Sequence, residues 1–150
     1  MKVEQTIIID RSIEEVFAYR TALQRTSEWQ RDVIATRLLS ADPTALGSHG
    51  TEQRRDQRDV ASEWELEVTE FELNRVLGIV SSCGDIRVRE RDVLASGYGN
   101  TRYTVSVEMT GSPLPNAVFH KKTIDALVTL KERVEGRKAG MLARLSERAS

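Results

Sequence analysis

The sequence has one cysteine, Cys83, and two histidines, His49 and His120, in 150 residues. A single thiol excludes an intrachain disulfide, and two distant histidines with one cysteine give no spacing for a structural zinc site. No metal or cofactor is expected, and a reducing compartment suits the chain. Charge of one sign is also missing: 22 Lys and Arg against 23 Asp and Glu leave a formal net charge of -1. Such a chain has no global field for nucleic acid or an anionic membrane, so nucleic acid is not expected as a partner. No apolar run approaches the ~20 residues of a membrane span, and Met1-Lys2-Val3-Glu4-Gln5 leads straight into charged sequence without a signal-peptide core. The expectation is a cytoplasmic protein, monomer or homodimer.

What is present is enough for a core. A chain of this length fits one domain that buries about 70% of its unfolded surface. We expect a single domain over 1–150, with its core reaching to about 135 and a helix extension or tail from 136 to 150. Lys2 to Ile9 is rich in β-branched residues and reads as a strand. Ser12-Ile13-Glu14-Glu15 then has the form of a capping box, Ser12 accepting from the Glu15 amide while Glu15 reaches back to the Ser12 amide. A short helix carrying Ile13, Val16 and Phe17 on one face follows, with a second helical turn from Thr21 to Trp29.

Six short β-type runs come next: Val33 to Leu39, Ser48 to Asp56, Ser62 to Glu70, Arg75 to Ser82, Ile86 to Leu94 and Thr101 to Thr110. Asp42-Pro43, Gly47, Asn74, Gly84-Asp85 and Gly97-Tyr98-Gly99-Asn100 supply turns between them. No long helix intervenes, so the sheet is antiparallel. In Ser62 to Glu70 the alternation is clearest: Trp64, Leu66 and Val68 point one way and Glu63, Glu65 and Glu67 the other. Arg54, Arg55 and Arg58 on the neighbouring hairpin arm offer those glutamates a solvent-side charge ladder. Arg87, Arg89 and Arg91 likewise share a face, read as exposed.

Beyond Ser112-Pro113-Leu114-Pro115-Asn116, where helix-start signals gather, a long helix follows. Residues 100° apart place Ala117, His120, Ile124, Leu127, Val128 and Val134 on one side, with Lys122, Asp125, Thr129, Glu132 and Arg133 opposite. Met141, Leu142 and Leu145 extend an apolar stripe into the tail.

The element order is that of the helix-grip fold, and several segments resemble the START-like (SRPBCC) superfamily in its branch of polyketide cyclases, dehydrases and lipid-transport proteins. They are Ile7 to Phe17, Glu28-Trp29-Gln30, Trp64 to Phe71, Gly99 to Val105 and Leu127 to Lys131. The resemblance implies an α+β fold: a curved seven-stranded antiparallel sheet wrapped around the long C-terminal helix, two short helices after the first strand, and a cavity for a small, largely apolar ligand.

Trp64, Leu66, Val68, Tyr103, Val105, Val107 and Met109 are the candidate inner wall, with His120, Ile124 and Leu127 from the helix. Trp29 reads as a packing anchor of the chain reversal in preference to a cavity cap. His120, near the middle of the expected inward stripe, is the polar residue placed best to bind a ligand or act as a base, although a structural hydrogen bond carries more weight. Glu90 and Asp92 share the alternation of Ile86, Val88 and Leu94. That directs them inward as acid-base groups, while a bulge would return them to the surface, the side the sequence favours slightly. His49, Glu52 and Gln53 lie on a polar strand read as an edge near the pocket mouth. Ser82 and Cys83 give a weak nucleophile signal, with no nucleophile elbow.

Three functions follow in order of preference: a binding protein that transports or sequesters an aromatic, polyketide or lipid-like molecule; a polyketide cyclase or dehydratase using Tyr103, His120 and Glu90; and an interaction module whose cavity is vestigial and whose contact is the tail.

Overall fold

A computed structural model describes the backbone of residues 1–112 and 114–149, and side chains through residue 136. The first strand, β1 (Lys2–Ile9), ends at Asp10, and helix α1 (Ile13–Thr21) starts under the Ser12 cap. Ser12 Oγ accepts from the Glu15 amide at 3.2 Å, as the sequence predicts, but it is the hydroxyl rather than the Ser12 amide that meets the Glu15 carboxylate. Either way an orphan amide of the first turn is satisfied. A 3₁₀ helix, Leu23–Glu28, completes the helical segment and leads to Trp29.

The remaining strands are β2 (Val33–Leu38), β3 (His49–Arg55), β4 (Ala61–Glu72), β5 (Val76–Cys83), β6 (Ile86–Ser96) and β7 (Thr101–Thr110). They form one antiparallel seven-stranded sheet in the order β1-β7-β6-β5-β4-β3-β2. The edges are therefore β1 and β2. His49, Glu52 and Gln53 lie on β3, an interior strand, which corrects their reading as an edge: a polar sequence does not mark an edge when both neighbours pair with it.

Helix α2 (Asn116–Ala149) closes the molecule against the concave side. Its middle is pinned to the end of β1, where Lys131 Nζ donates to the Ile8 carbonyl at 2.6 Å and the Asp10 amide donates to Glu135 Oε1 at 2.7 Å. Arg11 adds a bond to the Glu135 carbonyl. Burial raises the Glu135 carboxyl, but Lys131 and the Asp10 amide outweigh it and hold Glu135 below its usual value. The Met141, Leu142 and Leu145 side chains lie outside the described residues.

The inward face of α2 differs from the expected one. Phe119, Leu127, Leu130 and Val134 are buried, whereas His120 and Ala117 are exposed and Ile124 and Val128 are 41% and 44% exposed. The two stripes lie about 100° apart, one residue's rotation. Apolar side chains on both made the phase ambiguous, and the bulk of Phe119 and Leu130 decides it.

A bulge between Val68 and Glu70 flips the end of β4, turning Glu70 outward and Phe71 inward, where its ring meets Phe17 at 5.4 Å between centroids. Gly78 sits opposite, where a Cβ would come within 2.8 Å of the Glu70 Cβ, so the bulge needs glycine there. The described residues hold two apolar clusters, a large one between sheet and α2 and a smaller one of Leu23, Leu66, Val68 and Leu77.

Candidate ligand cavity

Sheet curvature leaves a cavity of about 560 Å³ between the concave face and α2. Its walls are mainly apolar, with Trp29, Trp64, Val105, Val107, Phe119 and Leu127 among the lining side chains. The exposed members of the lining come from the end of β3 (Arg55), the β3–β4 connection (Asp56, Gln57 and Arg58) and Pro115 before α2, so the mouth lies between these two segments.

Of the residues singled out from sequence, the lining includes Trp64, Leu66, Glu90, Asp92, Tyr103, Val105, Met109 and Leu127. Val68 does not line it; the side chain is fully buried in the smaller apolar cluster. His120 and Ile124 stand on the exposed side of α2, outside the lining, so the phase correction removes His120 as the inward polar residue. Trp29 is buried, at 5% exposure, and lines the cavity.

The cavity's polar side chains form a belt across the concave face. The register of β6 with β5 and β7 runs unbroken through Glu90 and Asp92, so no bulge intervenes and both carboxyls turn inward, against the surface reading. Their partner is Arg20. It follows Val16 and Phe17 by one turn of α1, so that helical face ends in a buried guanidinium. Arg20 Nε donates to Asp92 Oδ2 at 3.0 Å and Nη2 to Glu90 Oε2 at 2.5 Å. Tyr103 Oη also donates to Asp92 Oδ2. The guanidinium lies 4.9 Å from the centroid of the Trp29 ring, a cation–π contact. Among the described residues Arg20 Nη1 and Asp92 Oδ1 have no hydrogen-bond partner, so this buried end keeps unspent polar capacity.

The second part of the belt is built on β3. Arg54 faces inward because it pairs with Ser62 and so shares the face of Trp64. Arg54 Nε donates to Glu52 Oε1 at 2.7 Å and Nη2 to Ser81 Oγ at 3.3 Å, and its guanidinium stacks 4.2 Å from the Trp64 ring centroid. Thr36 Oγ1 donates to Glu52 Oε2 at 2.7 Å. The expected outer ladder of Arg54, Arg55 and Arg58 with the β4 glutamates is thus not made: Arg54 is inside, and Arg55 and Arg58 pair with Asp59 and Asp56.

These surroundings set the proton positions. Burial pushes the Asp92 carboxyl well above the ordinary range and Glu90 pushes the same way, outweighing Arg20. Burial also raises Glu90, but Arg20, a hydrogen bond with Asp92 and, at longer range, Arg54 reverse this and hold Glu90 below its usual value. Asp92 therefore holds its proton to higher pH than an ordinary carboxyl, and Glu90 loses its proton at lower pH. Burial and Asp92 raise the Tyr103 phenol well above its usual value, so it remains a donor. Burial opposes the Arg20 charge, yet Glu90 and Asp92 keep the guanidinium protonated. No cluster of three or more possible metal ligands occurs among the described residues.

Sequence reasoning missed Arg20 and the inward role of Arg54. The helical spacing from Phe17 was a signal for the first, and the alternation with Trp64's neighbour for the second.

No curated protein matches the chain in sequence. Solved structures match it in fold. A START superfamily protein from Mycobacterium smegmatis superposes with a TM-score of 0.73 at 15% identity, covering 93% of this chain and 98% of that one. An aromatase/cyclase from Streptomyces sp. R1128 gives 0.75 at 9% identity over 91% and 94%. A protein from Chromobacterium violaceum gives 0.75 at 11% identity over 89% and 96%. The sequence model of one family spans residues 1–149, and the chain belongs to that family: polyketide cyclase / dehydrase and lipid transport.

Proposed function

We propose that the chain holds a small, largely apolar ligand, aromatic, polyketide-like or lipid-like, in the cavity between sheet and α2, for transport or sequestration. The observation that carries this reading is the cavity itself: about 560 Å³, within the range of small-molecule sites, with apolar walls and a few fixed polar groups. No helix among the described residues is long and apolar enough to cross a membrane. With a single thiol in the sequence, a cytoplasmic site of action is part of the same reading.

Native mass spectrometry of the purified chain, followed by quenching of tryptophan fluorescence with a panel of polycyclic phenols and lipids, tests it. Trp29 and Trp64 both line the cavity, so a bound aromatic ligand quenches them. A chain that takes up no member of the panel contradicts the proposal.

One observation favours catalysis as a second reading. Asp92 is a carboxyl that holds its proton to higher pH than usual, beside Tyr103 and Arg20 at the buried end of the cavity, an arrangement suited to acid-base work in a cyclase or dehydratase. Turnover of a polyketone surrogate that disappears in Asp92→Asn and in Tyr103→Phe supports it; turnover unchanged in both rules it out. The interaction-module reading rests on the tail, whose side chains lie outside the described residues.

A further inference from the structure

The belt contains two arginines, yet they offer a ligand little free positive charge: of the Arg20 nitrogens only Nη1 is unpartnered. Arg20 spends Nε and Nη2 on Asp92 and Glu90, and Arg54 spends the same atoms on Glu52 and Ser81. Among the three inward carboxyls Glu90 is the least covered, its side chain 23% exposed against 5% for Glu52 and 1% for Asp92. Glu90 is also more open than the belt's two arginines, Arg54 at 15% and Arg20 at 5%, so its carboxylate is the most accessible charge of the belt.

A ligand carboxylate placed here gives up its hydration and faces a like charge, with only Nη1 of Arg20, on a side chain 5% exposed, left unpartnered at the buried end. A hydroxyl or phenol instead donates to the Glu90 carboxylate in a charge-assisted hydrogen bond. The sign of this effect does not hang on Asp92. With Asp92 neutral the belt balances its two cations with two anions, and with Asp92 ionised it is net negative.

Lys122 is the exception among the cations that line the cavity. Arg20, Arg54, Arg55 and Arg58 each have an acidic partner, whereas Lys122 has none among the described residues. It lies eight residues before Leu130 on α2, roughly 12 Å along the axis, toward the helix start that borders the mouth. An anion binds there if anywhere.

We propose that Glu90 makes the buried end of the cavity select neutral, hydroxyl-bearing ligands of the phenol or alcohol class and reject carboxylates. The proposal rests on the ligand-cavity reading. Its test is calorimetric titration of the full chain, and of Lys122→Met, with 2-naphthol and 2-naphthoate at neutral pH, two probes alike in ring and size. The Lys122→Met variant removes the unpaired cation, so a carboxylate captured at the mouth does not mask the preference of the buried end. There we expect 2-naphthol to bind at least about tenfold more tightly, since like-charge juxtaposition costs several kcal/mol and each factor of ten is about 1.4 kcal/mol.

Adding Glu90→Gln in that background should narrow or reverse the ratio, because it removes the negative oxygen and releases Arg20 Nη2. Equal or tighter binding of 2-naphthoate to Lys122→Met overturns the selectivity inference and leaves the cavity reading standing. Failure of both probes to bind the wild-type chain overturns the cavity reading with it. Should the Gln variant not fold, as read by its circular dichroism melt, the Lys122→Met comparison alone still decides.

Discussion

Strand β6 carries two ion pairs rooted one residue apart, and they do different things. Arg91 points to the convex face and grips Glu70 with two bonds, at 2.8 and 3.0 Å, both side chains about half exposed. Glu90 and Asp92, on either side of it, point to the concave face and share Arg20, which is 5% exposed. The chemistry is the same and the solvent is not. On the outside, water screens the pair, and its bonds do no more than lower Glu70 and raise Arg91 from their usual values. On the inside, desolvation dominates, one carboxyl holds its proton to higher pH, and the pair becomes the polar floor of a cavity. Period-two alternation alone separates a surface pair from a site.

The largest effect should come from breaking the inner pair. Arg20→Ala leaves Glu90 and Asp92 without their cation in a buried site, and should lower unfolding stability by about 3–5 kcal/mol. Urea denaturation measures it; a midpoint equal to wild type would mean that the cluster is solvated. The next effect tests the inward face of α2. Leu130→Ala should cost about 2–5 kcal/mol, as for a fully buried leucine, while the half-exposed Ile124→Ala stays within about 1 kcal/mol of wild type. The reverse order would restore the stripe read from sequence.

A smaller effect is a pH slope. Because Asp92 is raised in the folded state, that state binds more protons there than the unfolded chain once the pH passes its ordinary value of 3.8. The Asp92 contribution is therefore full below that pH and is lost as pH rises toward the folded value, by up to about 1.4 kcal/mol per unit. Wild-type stability minus that of Asp92→Asn should therefore fall with rising pH; a difference that is flat or rises denies the raised carboxyl. The smallest effect belongs outside. Arg91→Ala should leave the urea midpoint close to wild type, and a fall comparable to that of Arg20→Ala would erase the contrast between the faces.

How much of this was legible in the sequence depended on how redundant the signal was. The strands from Lys2 to Thr110 were readable because turn residues punctuate them and β-branched residues fill them, so their number and order agree with the structure and their ends lie within two residues of it. The Trp64-Leu66 face was readable because three glutamates oppose it. The face of α2 was not, since apolar residues on adjacent stripes fit a helical wheel equally well and only packing against the sheet selects one. Glu90 and Asp92 were misread in direction: the alternation turned them inward, but the surface was slightly favoured because nothing local showed that Arg20, 70 and 72 residues away, would be there to receive them. Arg54 was lost to a ladder that looked sufficient, because pairing register is a long-range property and one residue's shift exchanges the faces.

The most direct test of the contrast between the two faces of β6 is a carboxyl-carbon NMR titration of the wild-type chain that follows Asp92, Glu90 and Glu70 together. The account predicts that Asp92 titrates well above 3.8 while Glu90 and Glu70 titrate below 4.5. Asp92 titrating at or below 3.8, in step with the exposed Glu70, would contradict it.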